Sequence, residues 1–175
     1  HYNGKIPRNP FAMYHVDPDH KEREFLTLDE LTAMTEIKLE DPNMAFARDL
    51  FIFGSWTGIA FIDIKNLTED NISMVNGAPW IVSKRQKTGV PFQIKLLDIP
   101  MQIVERYKSF RKGSHLFNIG NLDSINKRIK KVAVMCGIKK RVSFHVSRHS
   151  WAVLALEYGM PIESVSKILG HTNIT

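Results

Sequence analysis

The chain has 175 residues and a mass of 20.1 kDa, enough for one domain with its own hydrophobic core. Apolar residues make up 43% and charged residues 24%, which excludes a disordered tail and a collagen-like fibre. The net charge of +6 and a pI near 9.5 favour a polyanionic partner, because each Lys or Arg that meets a phosphate releases condensed counterions.

The longest uncharged apolar run, 50–62, falls short of the roughly 20 residues a membrane helix needs. A single cysteine, Cys136, excludes an internal disulfide framework and fits a reducing, cytoplasmic compartment. Its Val-Met-Cys-Gly-Ile setting reads as core packing. No secretory signal is visible. The start at His1 and the end at Thr175 read as the limits of a piece of something longer.

Positions 1–24 hold Pro7, Pro10 and Pro18 among charges and aromatics without a period, which reads as a linker or arm. Order is expected from Phe25. Thr27 and Glu30 form a capping box, with Leu26 and Leu31 as its hydrophobic staple, predicting a helix over 28–37. A second helix should follow Asp41-Pro42 and stop at Gly58. Phe46, Leu50, Phe53 and Thr57 line one face, and Ala47, Phe51 and Ile52 grease the others, so it belongs at the centre.

A short helix is expected over 61–67. The runs 72–75, 80–83 and 90–96 read as three antiparallel strands, the first two joined by an Asn76-Gly77 turn. The basic loop 84–89 connects the second and third. Helices resume over 99–110, 122–135, 143–158 and 161–169. The fold class is therefore mixed α/β, mostly α, with a small three-stranded antiparallel sheet. No internal repeat is present.

Four places could carry chemistry. His145 and His149 share a helix face at i, i+4, the spacing of a two-histidine metal site. The pair lacks the adjoining glutamate of a metalloprotease motif and has Arg148 between its members, which disfavours zinc. His145 and Arg148 at i, i+3 near a helix start suit a phosphoryl group better. His171 follows Leu169-Gly170 just past a helix end, and Lys87 sits at a hairpin tip able to reach a groove. There is no Gly-rich loop followed by Lys-Ser/Thr, so nucleotide hydrolysis is not indicated.

These pieces and their order resemble the catalytic domain of tyrosine recombinases, the phage-integrase family, and in particular integrases of mobile elements. The resemblance spans 25–175. It rests on Phe25-Leu-Thr-Leu-Asp-Glu-Leu31, Thr57-Gly-Ile-Ala-Phe-Ile-Asp-Ile64, Arg85-Gln-Lys-Thr-Gly-Val-Pro91, Phe144-His-Val-Ser-Arg-His149 and Val165-Ser-Lys-Ile-Leu-Gly-His171.

The resemblance implies a cofactor-free DNA strand transfer through a 3′-phosphotyrosine, serving a mobile genetic element. Arg148 would clamp the phosphate and Lys87 would act as general acid. His145 and His171 would bond the phosphate and manage the nucleophile's proton. Lys84, Arg85, Lys87 and Arg148 are the expected DNA-binding side chains. Asp63 matches an acidic position that supports the first box, and His149 reads as structural. The partner would be double-stranded DNA, engaged by a homotetramer on paired sites, with no membrane and no small-molecule substrate. Residues 1–24 would link to a missing N-terminal DNA-binding domain.

Two departures from the family pattern stand out. The first box carries Ala60 where an arginine is expected two residues after its glycine. An introduced substitution, a subfamily that fills the place from elsewhere, and a silent enzyme all fit. The isolated loss favours a working or engineered enzyme, with Lys65, Lys84 and Arg85 as candidates for compensation. The other departure is that the chain ends four residues after His171, before the place of the nucleophilic tyrosine. Tyr2, Tyr14, Tyr107 and Tyr158 do not match that place, so this fragment alone should not cleave DNA. The alternative reading is a catalytically silent DNA-binding module of the same fold.

Overall fold

A computed structural model describes residues 24–170. The linker expected over 1–24, apart from Glu24, and His171 lie outside them. The described elements run α1 (Leu28–Glu36), α2 (Pro42–Thr57), α3 (Phe61–Asn66), β1 (Ile72–Val75), β2 (Ala78–Lys84), β3 (Pro91–Lys95), α4 (Asp98–Arg106), α5 (Leu122–Met135), α6 (Phe144–Glu157) and α7 (Ile162–Leu169). A single 3₁₀ turn, Lys108–Phe110, extends α4, where the sequence reads as one helix over 99–110.

The helix ends follow their local chemistry. Thr27 Oγ1 accepts from the Glu30 amide and Glu30 returns a bond to the Thr27 amide, completing the capping box. Asp41 caps α2 ahead of Pro42, and Gly58 ends it in the left-handed region at φ 66°. The apolar wrap of α2 puts it at the centre, packed against α1, α4, α5 and α6. Its Ser55 and Thr57 hydroxyls donate to Phe51 and Phe53 carbonyls one turn back, so neither is orphaned in the core.

The same helix also buries an ion pair. Arg48 donates to the carbonyls of Met34, Thr35 and Ile37 at the end of α1. Asp49 accepts from Arg48, from Arg106 at 2.7 Å and from the Tyr107 hydroxyl at 2.8 Å. A helix read as apolar on most sides thus ties two other helices through charge.

The sheet is a meander, β1-β2-β3, antiparallel throughout, as the alternating runs predict. Asn76 and Gly77 both adopt positive φ (50° and 75°), the geometry of a two-residue hairpin turn. Ile81, Phe92 and Ile94 face the core, and α7 packs against β3. At α6 the N-cap Ser143 makes no side-chain capping bond among the described residues; Asn126 of α5 instead accepts from the Phe144 amide at 2.7 Å. This fixes the start of α6, and with it His145 and Arg148.

Candidate phosphate-binding active site

Four chain segments converge on one cleft of about 380 Å³. Ala60, Ile62 and Asp63 come from α3 and its start, and Arg85, Lys87 and Thr88 from the β2–β3 connection. His145 and Arg148 come from α6, and Leu169 and Gly170 from the end of α7. The structure therefore brings together Lys87, His145, Arg148 and Arg85. Lys84 is exposed at the end of β2 and does not line the cleft. Lys65 donates to the Gly120 carbonyl and does not line the cleft either.

Strand alternation places Arg85 on the inner side, in phase with buried Ile81, and it is only 5% exposed. Its guanidinium donates to Asp63 Oδ2 at 3.0 Å and to the Ile168 carbonyl, and lies 4.2 Å over the Phe92 ring. Among the described residues its buried Nε has no partner. Asp63, 6% exposed, accepts the Gln86 amide at 2.7 Å with its other oxygen. One carboxylate thus holds both Arg85 and the root of the Lys87 turn.

Further bonds close that turn. Arg85 N donates to Val90 O at 2.9 Å, Gly89 N to Arg85 O at 2.8 Å, and Asn66 Nδ2 to Gln86 Oε1 at 3.3 Å. The sequence puts Lys87 at a hairpin tip; the structure shows that tip on a bonded base, with Lys87 itself exposed.

Arg148 reaches across from α6 to donate to the Gly58 carbonyl at 3.1 Å and to the Leu169 carbonyl. Burial, and then the nearby Arg85 cation, push its pKa down to about 10, with Asp63 pulling the other way. It stays charged at neutral pH. Two guanidiniums held this close favour an anion between them, since its charge offsets their repulsion. His145 and His149 stack edge to face, with ring centroids 4.4 Å apart. Among the described residues no three His, Cys, Asp or Glu side chains cluster as a metal site.

Two features of the site were missed in the sequence reading. The Gly58 carbonyl is one, available because the left-handed cap turns it off the helix. The other is the pair of α7 carbonyls, which take up N–H groups of both arginines. Trp151 packs against Gly58 so closely that a Cβ there would lie 2.5 Å from its ring. Gly58→Ala should therefore cost at least about 1–2 kcal/mol from the left-handed backbone alone, read as a melting temperature lowered by roughly 5 °C or more.

A buried and a half-buried arginine, a lysine on an anchored turn and a histidine at a helix start thus share one cleft of a mostly helical domain. The profile of the phage integrase family matches residues 24–175, and the chain belongs to that family. It is 43% identical over 159 residues to a tyrosine recombinase of Pseudothermotoga lettingae, covering 87% of this chain and 54% of that protein. Tyrosine recombinase XerC of Yersinia pestis is 24% identical over 182 residues, covering 98% of this chain and 59% of its own. The chain thus spans little more than half the length of these relatives. In fold it is similar to the XerH site-specific recombinase bound to difH substrate in a pre-cleavage complex. The TM-score is 0.72 at 17% identity, over 86% of this chain and 48% of that one.

Proposed function

We propose that this chain is the catalytic domain of a site-specific DNA recombinase that cuts and rejoins strands through a 3′-phosphotyrosine, for a mobile genetic element. The observation that carries the reading is the convergence of Arg85, Lys87, His145 and Arg148 on one cleft. A tyrosine oxygen attacks the scissile phosphorus, the bond to the 5′ oxygen breaks, and Lys87 supplies the proton that this leaving oxygen takes up. Arg148 and Arg85 hold the non-bridging oxygens as charge builds on them. His145 and His171 bond the phosphate and take the tyrosine's proton. A second strand's 5′-hydroxyl reverses the step, so the bond energy is kept and no nucleotide is consumed.

Arg85 supplies the cation that Ala60 lacks. It enters the same cleft, carries a buried counter-carboxylate and lies near enough to depress the Arg148 pKa. That argues against the silent-module reading. The nucleophile is a tyrosine that the described residues of the cleft do not supply. Tyr107 is bound to Asp49, its ionisation pushed up by burial, and Tyr158 is 74% exposed at the end of α6; neither lines the cleft. Double-stranded DNA is the substrate. Paired duplex sites call for four protomers, and the cytoplasm is the compartment where they meet. Lys84 on the outer face of β2 would add a backbone contact.

The test uses the full-length protein and a nicked duplex bearing the site it selects from a random-sequence DNA pool. A covalent protein–DNA adduct on a denaturing gel is expected. It should vanish when the downstream tyrosine is replaced, and form about 10²–10⁴-fold more slowly in Lys87→Ala, the usual worth of a positioned general acid. Tight binding without adduct would overturn the enzymatic reading in favour of the DNA-binding module.

A further inference from the structure

The helix that carries His145 and Arg148 packs on α2, and at Gly54 the contact leaves no room for a side chain. A Cβ at Gly54 would lie 2.7 Å from Ser147 Oγ and 3.2 Å from the Phe144 ring. Neither neighbour has room to yield. Ser147 is fully buried and its hydroxyl donates to the Phe144 carbonyl at 2.6 Å. The Phe144 ring is held edge to face by Phe51 and Phe61, with centroids 6.4 and 5.1 Å away. A mid-helix glycine costs about 1 kcal/mol relative to alanine, so its presence in α2 calls for a compensating contact.

That contact lies one helical turn from the phosphate cleft. Gly58 caps the end of the same helix, and its carbonyl takes the Arg148 guanidinium at 3.1 Å. Arg148 is also the residue next to Ser147. Arg85 and Lys87, by contrast, ride on the sheet and are anchored to α3 through Asp63. The separation of α2 and α6 therefore sets where one half of the catalytic group stands relative to the other.

We infer that Gly54 and Ser147 are a positioning pair, whose close crossing sets Arg148 and His145 in register with Arg85 and Lys87 for strand cleavage. This rests on the recombinase reading above. A methyl group at position 54 moves α6 outward by a few tenths of an ångström. Displacements approaching 1 Å in a reacting constellation lower rates by about 10²-fold, so a loss of about tenfold is the expected scale.

The experiment measures single-turnover adduct formation by the full-length protein on the selected nicked duplex, at saturating DNA and well below the melting temperature. Gly54→Ala should slow the reaction about tenfold while its DNA affinity stays within threefold of wild type. Ser147→Ala opens the space that the Oγ fills, so Gly54→Ala/Ser147→Ala should recover most of the rate. Ile129→Val, a core truncation in α5, provides a control that lowers the melting temperature without slowing cleavage.

An unchanged rate in Gly54→Ala overturns the inference, as does a double variant as slow as the single one. So does an Ile129→Val slowed as much as Gly54→Ala, since general destabilisation then explains the loss. Those three outcomes leave the recombinase reading intact. A wild-type protein that binds DNA but forms no adduct overturns both, because no reaction remains for the crossing to serve.

Discussion

Arg85→Ala should slow covalent adduct formation by about 10²–10³-fold, the usual consequence of removing one preorganised donor from a developing oxyanion. The expectation follows from place and charge. Ala60 brings only a methyl group to the cleft, and Arg85 brings a guanidinium to it from the sheet. Arg85→Lys keeps the charge but loses the planar fork that bonds two oxygens at once, so it should restore only part of the rate. Ala60→Arg in the Arg85→Ala background separates the roles further. A returning rate would mean that the two positions serve one phosphate. If Arg85→Ala instead cleaves as fast as wild type, Arg85 is a structural partner of Asp63 and the cleft works with Arg148 alone.

The second large effect concerns Asp63. Removing its carboxylate leaves Arg85 buried without a counter-charge, and beside a second guanidinium. Loss of one member of a buried pair costs about 3–5 kcal/mol, which at this chain length lowers the melting temperature by roughly 10 °C. Two variants divide the consequence. Asp63→Asn keeps an oxygen for the Gln86 amide, so the Lys87 turn stays anchored while the charge is lost. Asp63→Ala loses both. Thermal melts should show both variants destabilised, and the adduct assay should show Asp63→Ala the slower. Equal melting temperatures for Asp63→Ala and wild type would remove the buried pair from the account.

Much of the framework was legible because its signals are local. The capping box at Thr27, Pro42 at a helix start, Gly58 at its end and Asn76-Gly77 in the hairpin each act over four residues or fewer. Helix 122–135 starts where expected because Asn121 caps it with its own side chain. The choice among Lys65, Lys84 and Arg85 was harder, since all three lie close in sequence to the cleft. One signal did exist. With Ile81 turned inward, a two-residue period carries Ser83 and Arg85 inward too and leaves Lys84 outside. The Arg48–Asp49 pair gave no such signal, because Asp49 meets Arg106 and Tyr107 57 and 58 residues further along the chain.

The arginines that line the cleft also cap the C-terminal end of α7. Helix carbonyls at that end carry partial negative charge, and Arg85 and Arg148 each satisfy one of them. The last turn of α7 and the lining of the cleft are thus tied through the same two side chains. Shortening either arginine frees a carbonyl of α7 as well as removing a cation from the cleft. The amide exchange rates of α7 then rise together with the loss of turnover, and comparing the two divides a slow variant's defect between contact and fraying.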